Sequence, residues 1–122
     1  MLTLKPDHSE LVVLAVLAEA PSYGYAISKA VAARSEGHFK LGPSSLYPML
    51  TKLEKQGLVD TDWEEVKADT AEPDAEGRKR KWYRLSPKGE KRLAQHIEAY
   101  HRSRSILDAF VAPAAAAEGA AS

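Results

Sequence analysis

The chain has 122 residues, enough for one small domain with an extension but too few for two independent cores. Its formal net charge is zero, and its 44% hydrophobic and 28% charged residues are typical of a globular protein. It contains no cysteine, which excludes disulfide bonds and thiol chemistry and fits a reducing compartment. The longest apolar run, LVVLAVLA, is far shorter than the roughly 20 residues that span a bilayer, so we expect a cytoplasmic protein with no membrane partner.

Two helices are predicted at the start of the chain. Asp7 and Glu10 have the spacing of a capping box before a nearly all-apolar helix, which Pro21 prevents from continuing. Ser22 is the expected N-cap of a second helix over YGYAISKAVAAR, and Gly37 is its expected stop. Because the first helix is apolar on most sides, we expect it to be buried.

The segment SSLYPMLTKLEKQG predicts a third helix with two different faces. Leu46, Leu50 and Leu53 are spaced to share one face at about 100° per residue. With Ser45 as the N-cap, Pro48 falls in the first turn, where its missing N–H has no partner within the helix. The other face carries hydroxyls, a phenol, a proline and lysines, which suit the phosphates and base edges of a nucleic acid. A surface helix with a hydroxyl-rich cap is the alternative.

Charges of opposite sign occupy separate segments in the second half of the chain. The acidic segment contains Asp60, Asp62, Glu64, Glu65, Asp69, Glu72, Asp74 and Glu76. The basic segment that follows contains Arg78, Lys79, Arg80, Lys81, Arg84, Lys88, Lys91 and Arg92. Either both segments are solvated charge runs, or the basic one contacts a polyanion.

Aromatic and apolar residues on both sides of the acidic loop predict the two strands of a hairpin with a long tip. These residues are Trp63 and Val66 before the loop and Trp82, Tyr83 and Leu85 after it. A two-stranded hairpin is not stable alone, so it should pack on the helices. The predicted fold class is therefore mainly α with a small β-hairpin, a winged helix-turn-helix followed by a long C-terminal helix.

A winged helix-turn-helix predicts which residues would meet DNA. In such a fold the third helix enters the major groove and the hairpin, or wing, lies along the phosphates. The wing residues expected to contact phosphates are Arg78, Lys79, Arg80 and Lys81. The loop tip at 67–77 is acidic, so phosphates should repel it.

A long helix is predicted at the end of the chain, with Ser86 as its N-cap, Pro87 at its first position and its end before Pro113. Its heptad-like seam consists of Leu93, Ile97, Tyr100, Arg104, Leu107 and Val111. The seam predicts dimerisation through the same helix of a second copy, and packing on the chain's own first helix is the alternative. The predicted division is a DNA-binding domain at 1–85, a dimerisation helix at 86–112 and a disordered alanine-rich tail at 113–122.

Over roughly residues 11–110 the chain resembles the PadR family of transcriptional regulators. The motifs that carry the resemblance are SYGYAI, SSLYPMLTKLEKQGLV, RKWYRLS and SPKGEKRL. The resemblance, to the short subgroup with a single C-terminal helix, implies a bacterial, homodimeric repressor that binds a double-stranded DNA operator and is released by a small molecule. It places DNA contacts at Tyr25, Ser44, Ser45, Tyr47, Pro48 and Lys52.

Several implications of the resemblance have alternatives. Tyr25 contacts DNA or packs with its hydroxyl in water, and Tyr47 contacts DNA or braces the second helix, while Gly24 is expected to permit close approach of helices. Drug-binding relatives use aromatic residues, notably a tryptophan, on the dimer helix. Because this helix offers Tyr100 and Phe110 and no tryptophan, a small hydrophobic or aromatic effector is implied by the resemblance alone.

The sequence lacks the signatures of an enzyme or a metalloprotein. Of the four histidines, His96 and His101 would lie about 140° apart on a helix, unlike the i, i+4 pair of zinc-binding helices. We find no glycine-rich phosphate loop and no nucleophile elbow, so we expect no enzyme, no metal and no cofactor. A winged-helix module that contacts proteins without binding DNA is the remaining alternative.

Overall fold

The computed structural model describes residues 6–66, 75–76 and 79–121, and within these ranges it has four helices and four strands. In chain order they are α1 (Pro6–Glu19), β1 (Ser22–Tyr23), α2 (Gly24–Arg34), α3 (Pro43–Lys55), β2 (Val59–Glu65), β3 (Ala75–Glu76), β4 (Lys79–Leu85) and α4 (Pro87–Ala121). The predicted fold class, three helices, a small hairpin and a long C-terminal helix, is confirmed.

Strand β4 lies at the centre of the antiparallel sheet. Strand β2 pairs along one of its edges, from Val59 opposite Leu85 to Glu65 opposite Lys79. The short strands β1 and β3 both pair along the other edge, β1 in the middle of β4 and β3 at its start. The sheet thus holds the predicted wing, formed by β2 and β4, to the start of α2.

Strand β1 was not predicted from the sequence. Ser22 was expected to be the N-cap of the second helix, but it pairs with Tyr83 of β4. The helix instead begins at Gly24, with Tyr23 at the cap position and no side-chain hydrogen bond there. A two-residue strand is too short to show an alternating pattern, so only its pairing partner reveals it.

The hydrophobic core joins the helices to the sheet. Its buried side chains are Val13, Leu14, Val16, Leu17, Ile27, Val31, Leu41, Leu46, Leu50, Leu53, Leu58, Val59, Tyr83 and Leu93. In α1 the buried residues are Val13, Leu14, Val16 and Leu17, as expected of a helix that is apolar on most sides. Burying one such leucine contributes about 1.5–3 kcal/mol, so the set of contacts fixes how the helices lie on one another.

Helix α3 begins earlier than predicted. Gly42 is the N-cap, and its carbonyl oxygen accepts hydrogen bonds from the N–H groups of Ser45 (3.1 Å) and Leu46 (2.9 Å). Pro43 therefore occupies the first position, where no N–H is needed, and Pro48 lies in the second turn. The predicted placement of Pro48 in the first turn is wrong, since here its missing N–H leaves the Ser44 carbonyl without its usual helical donor.

The start of α1 differs from the prediction, and the end of α2 agrees with it. Helix α1 begins at Pro6, and the Glu10 carboxylate bonds to α4 instead of capping its own helix. Helix α2 ends at Arg34 and is followed by two left-handed residues, Glu36 (φ 54°) and the expected stop Gly37 (φ 79°), whose N–H donates to the Ala32 carbonyl.

The start of α4 agrees with the prediction, but its end does not. The Ser86 hydroxyl accepts a hydrogen bond from the Gly89 N–H (3.0 Å) and donates one to the Gly57 carbonyl (2.6 Å). Ser86 therefore caps α4 and ties it to the end of α3. The helix continues through Pro113 to Ala121, so the predicted end before Pro113 is wrong, and most of the tail expected to be disordered is helical.

Gly89 lies where α4 crosses the segment after α3. A Cβ atom at this position would overlap the carbonyl oxygen of Leu58 and come within 2.8 Å of Leu85 Cδ1. Only a hydrogen atom fits in this space, so the position sets how closely α4 approaches the sheet.

We predict that Gly89→Ala destabilises the protein by about 1–3 kcal/mol, the usual cost of overpacking, although helix propensity alone favours alanine by about 1 kcal/mol. Urea denaturation followed by circular dichroism measures the change. The comparison is Gly42→Ala, where a Cβ meets nothing within 4 Å; it should cost less, because it loses only the preference for glycine over alanine at an N-cap. An increase in stability for Gly89→Ala would contradict the predicted clash.

Candidate nucleic-acid interface

Helix α3 has one buried face and one exposed face. Leu46, Leu50 and Leu53 are at most 1% exposed. The exposed side chains on the opposite face are Ser44, Ser45, Pro48, Thr51, Lys52 and Lys55. The structure thus brings four predicted contact residues, the two serines, Pro48 and Lys52, to a single exposed face.

Tyr47 packs against the start of α2. Its side chain is half-buried, and a Cβ atom at Gly24 would lie 2.7 Å from its hydroxyl oxygen. The predicted role of Gly24, close approach of helices, agrees with this geometry. For Tyr47 the contact favours bracing of α2, the alternative that the sequence left open, and a DNA contact stays a prediction.

Helix α2 is also tied to the loop before α3. The Ser28 hydroxyl donates a hydrogen bond to the Leu41 carbonyl (2.7 Å). Tyr25 is half-buried on the same helix, and the Lys29 ammonium lies 5.3 Å from the centre of its ring. The hydrogen bond from Ser28 holds the loop before α3 against α2, whereas a DNA contact by Tyr25 stays a prediction.

The wing cations are less available to phosphates than the sequence suggested. Arg78 lies outside the described residues, and Lys79 is exposed. The Arg80 side chain is only 13% exposed, its guanidinium carbon lies 4.1 Å from the centre of the Tyr23 ring, and its Nη1 lies 3.6 Å from a Glu64 oxygen. Arg80 therefore contacts both strands that flank β4, through Tyr23 of β1 and Glu64 of β2.

Lys81 joins the wing to α3. Its ammonium donates a hydrogen bond to Oε1 of Glu54 (2.8 Å), and the Thr61 hydroxyl donates to the other carboxylate oxygen (3.2 Å). The hydrogen bond from Lys81 is the main reason that the pKa of Glu54 lies below its ordinary value. The sequence reasoning missed Glu54, although its position at the edge of the leucine face placed it toward the rest of the domain.

A second ionic cluster joins α1 to α4. The carboxylate of Glu10 is 8% exposed and accepts hydrogen bonds from His96 Nε2 and from Arg92 Nη1 (3.4 Å). Burial alone would raise the pKa of Glu10, but the hydrogen bonds and charges of these two partners lower it below its ordinary value. The first turns of α4 are therefore anchored to the chain's own domain.

Beyond this anchor the predicted seam of α4 is exposed. Leu93 is an exception, because it lies in the core of its own chain and is not available to a partner. Ile97, Tyr100, Leu107 and Val111 are 41–60% exposed, and Arg104 is exposed as well. Ile106 and Phe110, which are not part of the predicted seam, are also exposed apolar residues of α4. Packing on the chain's own first helix thus does not cover the outer part of the seam.

Within the described part of the chain, no three histidine, aspartate or glutamate side chains are grouped so as to hold a metal ion. Nor does any helix in that part combine the length and the apolar character needed to cross a membrane.

We predict that Glu54→Gln lowers stability at neutral pH by about 0.5 kcal/mol, the range of partly exposed ion pairs. Because the pKa of Glu54 is lowered by folding, its contribution is present above the ordinary glutamate pKa and is lost as the pH falls through the lowered value. Urea denaturation at pH 7 and pH 3 should therefore show a difference between wild type and variant that shrinks in acid. A difference of equal size at both pH values would contradict the ion pair with Lys81.

The sequence pattern described as the Transcriptional regulator PadR-like family matches residues 13–95. The protein smu.1704 from Streptococcus mutans is 30% identical, with a TM-score of 0.72 over 90% of this chain and 92% of that chain. A transcriptional regulator from Clostridium thermocellum is 27% identical, with a TM-score of 0.73 over 86% of this chain and 94% of that chain. An uncharacterized protein from Lysinibacillus sphaericus is 26% identical over 85% of this chain and 88% of its own length. Since the family pattern covers more than half of the sequence, the chain belongs to the PadR-like family of transcriptional regulators.

Proposed function

We propose that this protein is a sequence-specific DNA-binding regulator that acts as a homodimeric repressor. The observation that carries the proposal is the exposed face of α3, where Ser44, Ser45, Pro48 and Lys52 lie above three buried leucines. A recognition helix must hold its contact face rigidly toward solvent, because a loosely held side chain loses orientation against a base edge. The tethers through Ser28, Tyr47 and Glu54 supply this rigidity.

Each group on this face suits one part of a DNA duplex. The serine hydroxyls donate to or accept from base edges, and the pyrrolidine ring of Pro48 is an apolar surface for a thymine methyl group. Lys52 and Lys55 provide charge for phosphates, and the positive end of the helix dipole lies at Ser44 and Ser45. Tyr25 and Tyr47 belong to the proposed contact set as residues that flank this face.

The wing has a smaller direct role in this proposal than its sequence suggested. Lys79 remains a phosphate contact, since its side chain is exposed. Arg80 and Lys81 are already bonded within the domain, so their proposed role is to hold the wing against β1 and α3. Any contact by Arg78 is proposed from the sequence alone.

The exposed seam of α4 supports dimerisation. Monomeric proteins rarely expose a large apolar patch. An isologous pairing of two α4 helices would bury the exposed seam residues Ile97, Tyr100, Leu107 and Val111. Arg104 would then need an acid such as Glu98 or Asp108 of the second copy, because a buried unpaired charge is costly. The pairing would place two α3 helices about 34 Å apart, the length of one DNA turn.

Repression and its relief by a small hydrophobic or aromatic effector complete the proposal, and they rest on the family resemblance. In one chain, a groove of about 410 Å³ is lined by the seam residues Tyr100, Leu107 and Val111, so an effector bound there would lie at the proposed dimer interface. Repression of a bacterial promoter would take place in the cytoplasm.

The alternative, a winged-helix module that contacts a protein and not DNA, is favoured by one observation. Arg80, Lys81 and Arg84 each lie within 4 Å of a carboxylate of their own chain, which reduces the positive charge expected of a DNA-binding wing. Affinity for a protein partner together with none for duplex DNA would support this alternative.

We predict specific binding of the protein to duplex DNA from its own upstream region, measured by fluorescence anisotropy over a series of salt concentrations. Lys52→Gln should weaken binding and reduce the slope of log affinity against log salt by about 1, because one phosphate contact is lost. Lys91→Gln removes the same charge from an exposed position on α4 and is the control. Failure of the wild type to bind any upstream duplex at low salt would contradict the proposed function.

We predict that Leu107→Glu converts a wild-type dimer into a folded monomer, because Leu107 is 60% exposed in one chain and would be buried in the seam. Analytical ultracentrifugation measures the mass, and circular dichroism reports the fold. Gln95→Glu introduces the same charge on the opposite face of α4 and should leave the dimer intact. A monomeric wild type, or a dimeric Leu107→Glu variant, would contradict pairing through this seam.

A further inference from the structure

The pairing of β2 with β4 sets acids opposite cations. Strand β2 carries Asp60, Asp62, Glu64 and Glu65, and β4 carries Lys79, Arg80, Lys81 and Arg84. The register places Glu64 directly opposite Arg80 and Glu65 directly opposite Lys79. Directly opposite residues of an antiparallel pair share a face, with Cβ atoms about 4.5–5.5 Å apart. The two charge segments of the sequence therefore meet in space.

Three cations of β4 make ion contacts, two with β2 and one with α3. Arg84 lies 2.7 Å from an Asp62 oxygen, and Arg80 lies 3.6 Å from a Glu64 oxygen. Lys81, on the other face of β4, is bonded to Glu54 of α3 at 2.8 Å. In these pairs each cation has a carboxylate within contact distance.

Among the described residues, Lys79 is the exposed cation nearest the wing tip, and it has an acidic residue opposite it in both neighbouring strands. Its register partner in β2 is Glu65, and its register partner in β3 is Glu76. At this end of the described strand pair, Arg80 and Lys79 are therefore matched by Glu64 and Glu65.

A phosphate near the wing would respond to the sum of these charges. Charges within about 8 Å act together at physiological salt, so attraction to Arg80 is offset by repulsion from Glu64 less than 4 Å away from it. Exposed ion pairs contribute only about 0–1 kcal/mol to stability, so folding gains little from so many of them. Their larger effect is on the charge that the surface presents to a polyanion.

We propose that Glu64 and Glu65 hold their end of the β2–β4 strand pair electrically neutral, so that this part of the wing attracts phosphates only weakly. The acids cancel the charges of Arg80 and Lys79, so the wing adds little affinity for DNA of any sequence. Because non-specific binding to DNA is almost wholly electrostatic, the arrangement keeps that binding weak and leaves affinity to the face of α3. This inference rests on the proposed function for its biological meaning, while the neutralised surface itself can be measured on any polyanion.

The decisive variant is Glu64→Gln/Glu65→Gln, which removes both acids and keeps their shapes. Relative to wild type it should bind an unrelated duplex about 10-fold more tightly at low salt, with a slope of log affinity against log salt that is steeper by about 1–2. The matched control is Glu19→Gln/Glu36→Gln, which changes the net charge equally by removing two exposed acids outside the wing and the seam, one of them the partner of Arg34. Adding Lys79→Gln to the wing variant should reverse part of the gain.

A second readout separates this inference from the proposed function. Elution from a heparin column reports affinity for a polyanion without requiring that the protein recognise DNA, and the wing variant should elute at higher salt than wild type and control. If wild type binds no duplex but the wing variant is retained longer on heparin, the proposed function fails and the neutralised surface stands. If the wing variant and the control shift equally in both measurements, or neither shifts, the inference is overturned. Circular dichroism and urea denaturation check that each variant is folded. If the double variant does not fold, the single variant Glu65→Gln, which changes an exposed residue, provides the same comparison.

Discussion

The burial of Leu46, Leu50 and Leu53 is the constraint on which the rest of the structure depends. Each leucine is at most 1% exposed, and removing one from water contributes about 1.5–3 kcal/mol, so rotating α3 about its axis would cost several kcal/mol. The orientation of the exposed face is thus set by the residues on the opposite side of the helix. The contact between Tyr47 and Gly24 fixes the distance to α2, and the ion pair between Lys81 and Glu54 fixes the wing. The proposed recognition surface follows from these contacts.

The acidic and basic residues of the wing are separate along the chain but adjacent in the folded protein. In the sequence the acidic and basic segments are separate, and such separation normally indicates a surface of one sign. The hairpin folds one segment onto the other, so that three acids of β2, Asp60, Glu64 and Glu65, lie directly opposite three cations of β4, Arg84, Arg80 and Lys79. The charges of β2 and β4 therefore sum to zero, as do those of the whole chain. The lysines of α3 thus become more important for the proposed attraction to phosphates.

Features set by local spacing could be predicted from the sequence, and features set by tertiary contacts could not. The leucine face of α3, the two wing strands and the Ser86 cap depend on residues close in the chain, and the sequence predicted all of them. Strand β1 exists because Tyr23 lies beside Trp82 on β4, and neither residue alone indicates that pairing. The same applies to the candidate site, where the exposed serines were predicted but the partners of Arg80 and Lys81 depend on strand register and on the packing of α3 against the wing. Pro113 misled the prediction because a proline inside a helix is costly but not forbidden.

The central claim is that the exposed face of α3, and not the wing or α4, makes the main contact with DNA. The most direct measurement is an NMR titration of the ¹⁵N-labelled protein with a duplex from its own upstream region. The account predicts the largest shifts at the N–H groups of Ser44, Ser45 and Lys52, with smaller shifts at Lys79 and little change along α4 beyond His96. Shifts confined to the wing or to α4, with α3 unchanged, would contradict it.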